Sequence, residues 1–312
     1  MKYNIIGMGN IGMRYLQSIV SQDKESVIFC YDIMPNFKDR VISFLIENHL
    51  PIKSIHFSTS LEKNLEKVDS KTIVLITTTA DKREDIILDF AIKKPRLIIT
   101  EKLVCNSRKA YSALLASLEE IKFKNILVNF FPRNQLFFQD LYKNIIKNEK
   151  FNMHVSIPKL GLACNGIHFI DMFLLLSDSL EYKISKTFYN ESYKQKRDGY
   201  YDFSGLINVE SNISTLTLSD DYSDQDQLIS FYGNSLVYHF FMIREFAVRV
   251  EDGKTEIINY PLNHVSEYIF KEIHSFVNDN TSNLPNIFDS YSSHSVLFDF
   301  IEINKLTNFK IT

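Results

Sequence analysis

Tyr3-Asn4-Ile5-Ile6-Gly7-Met8-Gly9-Asn10-Ile11-Gly12 is the stretch that decides the fold. A short apolar strand runs without a break into a Gly-x-Gly-x-x-Gly turn. The spacing then predicts a helix from Met13 to about Val20 and a second strand, Val27-Ile28-Phe29-Cys30-Tyr31, ending at Asp32. Gly7 permits the tight strand-to-helix turn, Gly9 lets the backbone approach a pyrophosphate, and Gly12 lets helix and strand pack closely. The helix start, with Asn10 and Ile11 beside the turn, offers free N–H groups and a positive dipole end to phosphates. Asp32 stands at the roughly 20-residue spacing at which a carboxylate meets a ribose diol. The order strand, turn, helix, strand, acid points to a bound dinucleotide; a glycine turn in some other α/β unit is the alternative. A carboxylate at Asp32 would repel a 2′-phosphate, which favours NAD over NADP.

Outward from this unit, helices are expected over 36–48, 60–68, 83–93 and 109–121, and strands over 52–57, 72–77, 96–100 and 125–129. Residues 72–77 form a continuous apolar run of the kind buried on both faces. Strict alternation of strands and helices implies a doubly wound, mainly parallel sheet. Ligands of such sheets bind outside the carboxyl ends of the strands. That rule gathers Gly7–Gly12, Asp32, Thr77, Thr78, Thr79, Glu101, Lys102 and Asn129 along one edge of one cleft.

The texture changes near residue 150. A strand over 152–157 and a helix over 165–176 are followed by alternating segments at 183–189, 205–209, 214–219, 227–232 and 245–251. Asn, Asp, Ser and Gly separate them, which indicates an antiparallel sheet. Residues 220–227 read as an acidic, polar hairpin or loop, and helices over 265–278 and 290–304 close the chain. The expected fold class is α/β: an N-terminal Rossmann doubly wound parallel sheet plus a C-terminal α+β domain with an open, mainly antiparallel sheet. Domains are expected over 1–128 and 129–312, with the C-terminal helix packing back on the first.

A length of 312 residues suits two domains, and a net charge of -3 with interspersed signs suggests neither nucleic acid nor a membrane surface. No apolar run reaches the ~18 residues of a membrane span, and the N-terminus enters a strand without a signal-peptide pattern. Cys30, Cys105 and Cys164 fit neither a disulfide framework nor a metal site. The expectation is a cytoplasmic protein without a metal.

Several dispersed segments together resemble the glucose–fructose oxidoreductase/inositol dehydrogenase/MocA family. They are Thr77-Thr78-Thr79, Glu101-Lys102-Leu103 (similar to the family's Glu-Lys-Pro), the crossover-like Asn129 to Phe138, the Gly166-Ile167-His168-Phe169-Ile170-Asp171 helix start, Lys196-Arg197-Asp198-Gly199-Tyr200 and the helix over 290–306. The resemblance implies nicotinamide-dependent redox chemistry and a second domain carrying the substrate and an oligomer interface. The nicotinamide supplies the redox step, so the protein must supply orientation and a proton-transfer group. Lys102 and His168 are the expected catalytic residues. Glu101 would position the cofactor or the lysine. His168 and Asp171, three apart on a helix, share a face, so the acid could orient the imidazole or meet substrate hydroxyls. A buried structural histidine is the alternative.

Arg133, Cys164, Asn165, Lys196 and Arg197 complete the expected substrate contacts. One departure is notable: the family commonly carries an Asp where Cys164 stands, and a thiol is a weaker acceptor than a carboxylate. The implied activity is an NAD(P)-dependent oxidoreductase acting on a hydroxyl or ketone of a sugar or sugar derivative, with a lean to phosphorylated or nucleotide-linked sugars of surface-glycan synthesis. The expected partners are a small-molecule substrate and further copies of the chain. Two alternatives stay open: a redox-neutral enzyme that recycles tightly held NAD, and a non-catalytic dinucleotide-binding regulator.

Overall fold

The structure is a computed structural model and describes residues 1–52, 54–144, 149–221 and 226–311. The first half runs β1 (Lys2–Ile6), α1 (Asn10–Gln22), β2 (Val27–Tyr31), α2 (Phe37–Glu47), β3 (Ile55–Ser58), α3 (Leu61–Leu65), β4 (Thr72–Ile76), α4 (Arg83–Ile92), β5 (Leu97–Glu101), α5 (Arg108–Glu120) and β6 (Ile126–Asn129). A 3-10 turn, Phe131–Asn134, and α6 (Leu136–Asn144) follow. Then come β7 (Asn152–Ser156), a π-turn at Leu162–Gly166, α7 (Ile167–Leu176), β8 (Lys183–Lys194), β9 (Tyr201–Ser211), β10 (Ser214–Asp220), β11 (Leu228–Tyr232), β12 (Leu236–Phe241), β13 (Phe246–Glu251) and β14 (Lys254–Asn259). The chain closes with α8 (Val265–Asp279) and α9 (Tyr291–Ile303). By internal contacts it forms two compact units, Met1–Asn129 with Asn263–Phe288, and Phe130–Leu262 with Asp289–Thr312.

In the first unit a six-stranded sheet has the order β3-β2-β1-β4-β5-β6 with every pair parallel. All positions of β4, β5 and β6 are buried, because helices cover both faces and the strands carry unbroken apolar runs. The strand order reverses between β1 and β4, the place where open α/β sheets bind ligands. Helix α1 starts at Asn10, earlier than the apolar spacing indicates, because the last residues of the glycine motif are already helical. Of the two closing helices it is α8 that lies on α1, through a face that includes Tyr268, Ile269 and Ile273; α9 packs with α7 and β8.

The second unit is built on an eight-stranded sheet, β14-β13-β12-β11-β7-β10-β9-β8, in which only the β7–β10 pair is parallel. The mixed α/β architecture expected from the sequence is therefore present. Two strands and one helix were not anticipated. β14 is an exposed edge strand carrying Lys254 and Glu256, in a stretch the sequence reading left unassigned, and β12 follows a tight turn after β11. Helix α6 falls in the stretch read only as a crossover. β8 and β9 run longer than expected because register shifts at Ile184/Lys186 and Tyr189/Glu191 break the alternation on which the reading relied. Of the expected 52–57 strand, Lys53 lies outside the described residues, as do residues 222–225 of the expected 220–227 loop.

Candidate functional site

Register assembles the candidate residues of the first unit. Ile6 pairs with Tyr31 and with Ile76, Ile76 with Thr100, and Glu101 with Asn129. The residues that follow these pairs, Gly7, Asp32 and Thr77, therefore share one sheet edge with Glu101 and Asn129. At Gly7 the chain turns with φ +96°, a conformation side chains rarely adopt. A Cβ on Gly12 would lie 2.0 Å from the Gly7 carbonyl oxygen, so packing alone requires glycine there. A Cβ on Gly9 would meet nothing within 4 Å. The bare face of Gly9 thus opens on space beside the exposed start of α1 at Asn10 and Ile11, a cradle that a side chain would fill and a pyrophosphate fits.

The neighbouring loops are tied to this turn. Thr77 Oγ1 donates to the carbonyl oxygens of Gly7 (2.5 Å) and Ile6 (3.2 Å). Asp32 accepts the N–H of Met8 at 2.7 Å and of Met34 at 2.9 Å. An ionised carboxylate offers more acceptor sites than these two bonds use, which leaves capacity for ribose hydroxyls. Thr78 and Thr79 follow in the half-buried turn after β4.

Glu101 sits in a buried polar network. Its Oε1 accepts from the Tyr15 hydroxyl at 2.5 Å and from Asn129 Nδ2 at 2.7 Å, and the Tyr268 hydroxyl donates to Asn129 Oδ1 at 2.9 Å. Burial first, and then the Glu101 charge, push the Tyr15 and Tyr268 hydroxyls well above the ordinary range, so both stay neutral donors. Four elements, α1, β5, β6 and α8, fix this carboxylate. Tyr15 and Tyr268 were not anticipated, because tyrosines on apolar helix faces read as core. Lys102 follows, half-buried, joined to Leu103 by a cis peptide.

In the second unit His168 lies in the first turn of α7, 8% exposed. Its ring packs edge-on against Phe130 (5.8 Å between centroids) and Phe131 (6.3 Å). Asp171, expected to orient the imidazole or meet substrate hydroxyls, is held by other residues of the second unit. Arg133 grips it with both arms, Nε to Oδ2 at 2.7 Å and Nη2 to Oδ1 at 2.9 Å, and Ser293 Oγ donates to Oδ1 at 3.3 Å. This ion pair ties α7 to the 3-10 turn that carries Arg133, one of the expected substrate contacts.

Cys164 and Asn165 occupy the π-turn, half-buried. Their anchor, missed from sequence, is the fully buried Asp202: it accepts the N–H groups of Ala163 (2.8 Å) and Cys164 (3.1 Å) and Gln195 Nε2 (2.9 Å). Asn165 Nδ2 donates to the Leu160 carbonyl at 2.5 Å. Lys196 and Arg197 stand exposed at the β8–β9 hairpin tip, with the Arg197 guanidinium 5.9 Å from the Tyr200 ring centroid. Among the described residues no group of three His, Cys, Asp or Glu could hold a metal ion, and no helix is long and apolar enough to cross a membrane.

No protein-family model matches the sequence, and the comparison with curated proteins finds no match. Solved structures do match over nearly the whole chain. UDP-N-acetylglucosamine 3-dehydrogenase from Acidithiobacillus ferrooxidans is 12% identical with a TM-score of 0.70, covering 96% of this chain and 99% of that one. Biliverdin reductase from Synechocystis sp. PCC 6803, solved with biliverdin and NADP+, is 11% identical with a TM-score of 0.69, covering 96% and 98%. A Gfo/Idh/MocA family oxidoreductase from Vibrio cholerae is 12% identical with a TM-score of 0.72, covering 98% and 99%. The chain has the fold of the Gfo/Idh/MocA-type oxidoreductases.

Proposed function

We propose that this protein is an NAD(P)-dependent oxidoreductase that interconverts a hydroxyl and a ketone on a sugar or sugar derivative. The observation that carries the reading is the single sheet edge on which the open glycine turn, Asp32, the Thr77 turn and Glu101-Lys102 meet. A nicotinamide cofactor, when bound, would supply the hydride acceptor or donor. The chain's own residues do the rest. Gly7 to Gly12 and the start of α1 hold the phosphates, and Asp32 accepts from the adenosine ribose, which favours NAD. Glu101, its Oε1 held by Tyr15 and Asn129, stiffens the segment that carries Lys102. Lys102 Nζ takes the substrate hydroxyl proton in oxidation and gives it back in reduction. His168 orients the reacting oxygen, while Cys164 and Asn165 border the substrate, with Lys196 and Arg197 available to an anionic group.

A nucleotide-linked or phosphorylated sugar is the favoured substrate, a choice supported by the dehydrogenase from A. ferrooxidans. The match to a biliverdin reductase shows that this fold also serves other chemistry, so the substrate must be found by assay. We assign the protein to the cytoplasm and to a homo-oligomer formed on the outward face of its sheet, where Val248 and Ile257 pair side by side. The test is NADH formation across a panel of nucleotide sugars, sugar phosphates and free sugars. Turnover with one class, and a fall in kcat of about 100-fold or more in Lys102→Met, is the expected result. No turnover with any class, or an unaffected Lys102→Met, would overturn the proposal.

A further inference from the structure

Arg83 opens α4, yet its side chain is only 2% exposed. The guanidinium donates to backbone oxygens of two separate chain segments. Nη1 donates to the carbonyl of Glu101 at 2.6 Å and to that of Leu103, and Nη2 donates to the carbonyl of Thr78. One nitrogen therefore holds the backbone on both sides of Lys102, and the other holds the turn after β4. Burying a permanent cation is costly, and an apolar side chain could fill the same space with less desolvation. What the guanidinium adds is geometry: a rigid planar fork that cannot lose its proton and satisfies several acceptors in fixed directions.

The segment it grips is also held through its side chain, by the Tyr15 hydroxyl donating to Glu101 Oε1. We propose that Arg83 is the positioning residue for Lys102, locking Glu101–Lys102–Leu103 to the Thr77–Thr79 turn so that proton-transfer group and cofactor loop keep one relative geometry. This rests on the nicotinamide-dependent reading above. A lysine in its place would keep the charge but could satisfy these acceptors only as a point donor.

The test compares wild type with Arg83→Lys and Arg83→Met. The dissociation constant for NAD is measured by calorimetry, folding by thermal unfolding, and the Lys102 environment by the NMR signal of its reductively ¹³C-methylated side chain, assigned through its loss in Lys102→Arg. In wild type the Lys102 signal should stand apart from the exposed lysines and move when NAD is added. In Arg83→Lys it should join the exposed lysines, and NAD should bind at least about fivefold more weakly. A lowered Tm with the Lys102 signal and NAD affinity unchanged would make Arg83 a scaffold residue and overturn the inference. Should the variants not fold, hydrogen exchange on the wild type decides: NAD must slow exchange over 77–81 and 101–105 together, and protection of one segment alone would refute the coupling. Wild type that fails to bind NAD removes the functional reading and this inference with it. Binding by wild type and Arg83→Lys alike removes only the inference.

Discussion

Gly9→Ala separates ligand binding from stability more cleanly than any other substitution in the glycine turn. Gly9 precedes α1 with φ -74° and ψ -168°, a backbone conformation open to any L-residue. Its added methyl would meet no protein atom within 4 Å. The apo protein should thus tolerate alanine, and the loss of chain entropy in the unfolded state could add roughly 0.4–1 kcal/mol of stability. In the proposed binding mode the same methyl would occupy the space of the pyrophosphate. Pushing the phosphates back loses at least one hydrogen bond of a charged acceptor, worth about 1.5–3 kcal/mol. At about 1.4 kcal/mol per decade, NAD should bind roughly 10- to 150-fold more weakly. Thermal unfolding without ligand and calorimetric titration with NAD measure the two sides. A Gly9→Ala protein with unchanged Tm that binds NAD within about twofold of wild type would refute the assignment of this turn as the phosphate cradle.

Asp171→Asn leaves Arg133 without its carboxylate; breaking such a pair costs about 3 kcal/mol, and Tm should fall by roughly 6–12 °C. A shift under about 2 °C in thermal unfolding would contradict it. Cys30 and Cys105 are fully buried and burial pushes their thiols up, whereas Cys164 is half-exposed; an aromatic disulfide reagent should label Cys164 in the native protein and the other two only after denaturation. Rapid native labelling of Cys30 or Cys105 would show that the core around them is not packed as described. Burial also raises the hydroxyls of Tyr3, Tyr15, Tyr238 and Tyr268 above the ordinary value. Because the folded state holds these protons more tightly than the unfolded one, their contribution is intact below about pH 10 and is lost as pH rises through the folded values. Ultraviolet titration should show these four ionising only with unfolding; simple titration of all 16 tyrosines near pH 10 with the fold intact would contradict this.

Physical reasons decide which parts of this molecule were legible. The first sheet could be read because strands such as β4 are buried on both faces and appear as unbroken apolar runs between helices, while the part-exposed β2 and β3 follow the same alternation with helices. The second sheet was read in part, since the bulges in β8 and the charged edge strand β14 erase the two-residue alternation. The strand–turn–helix–strand order from Tyr3 to Asp32 was legible because it is encoded in local chain order. Tyr15 and Arg83 were not, because their meaning depends on partners in β5 and the loop that follows it, far along the chain. Asp171 shows the limit of helical spacing as a guide: a shared face suggested His168, but a guanidinium from a separate turn, 38 residues earlier, took the carboxylate.

Titration of the purified protein with NAD and NADP, followed by native mass spectrometry and calorimetry, tests the central claim most directly. The account predicts one dinucleotide per chain, with NAD bound more tightly than NADP because Asp32 meets the ribose. Binding of neither cofactor would contradict the reading of Gly7 to Asp32 and the proposed function built on it.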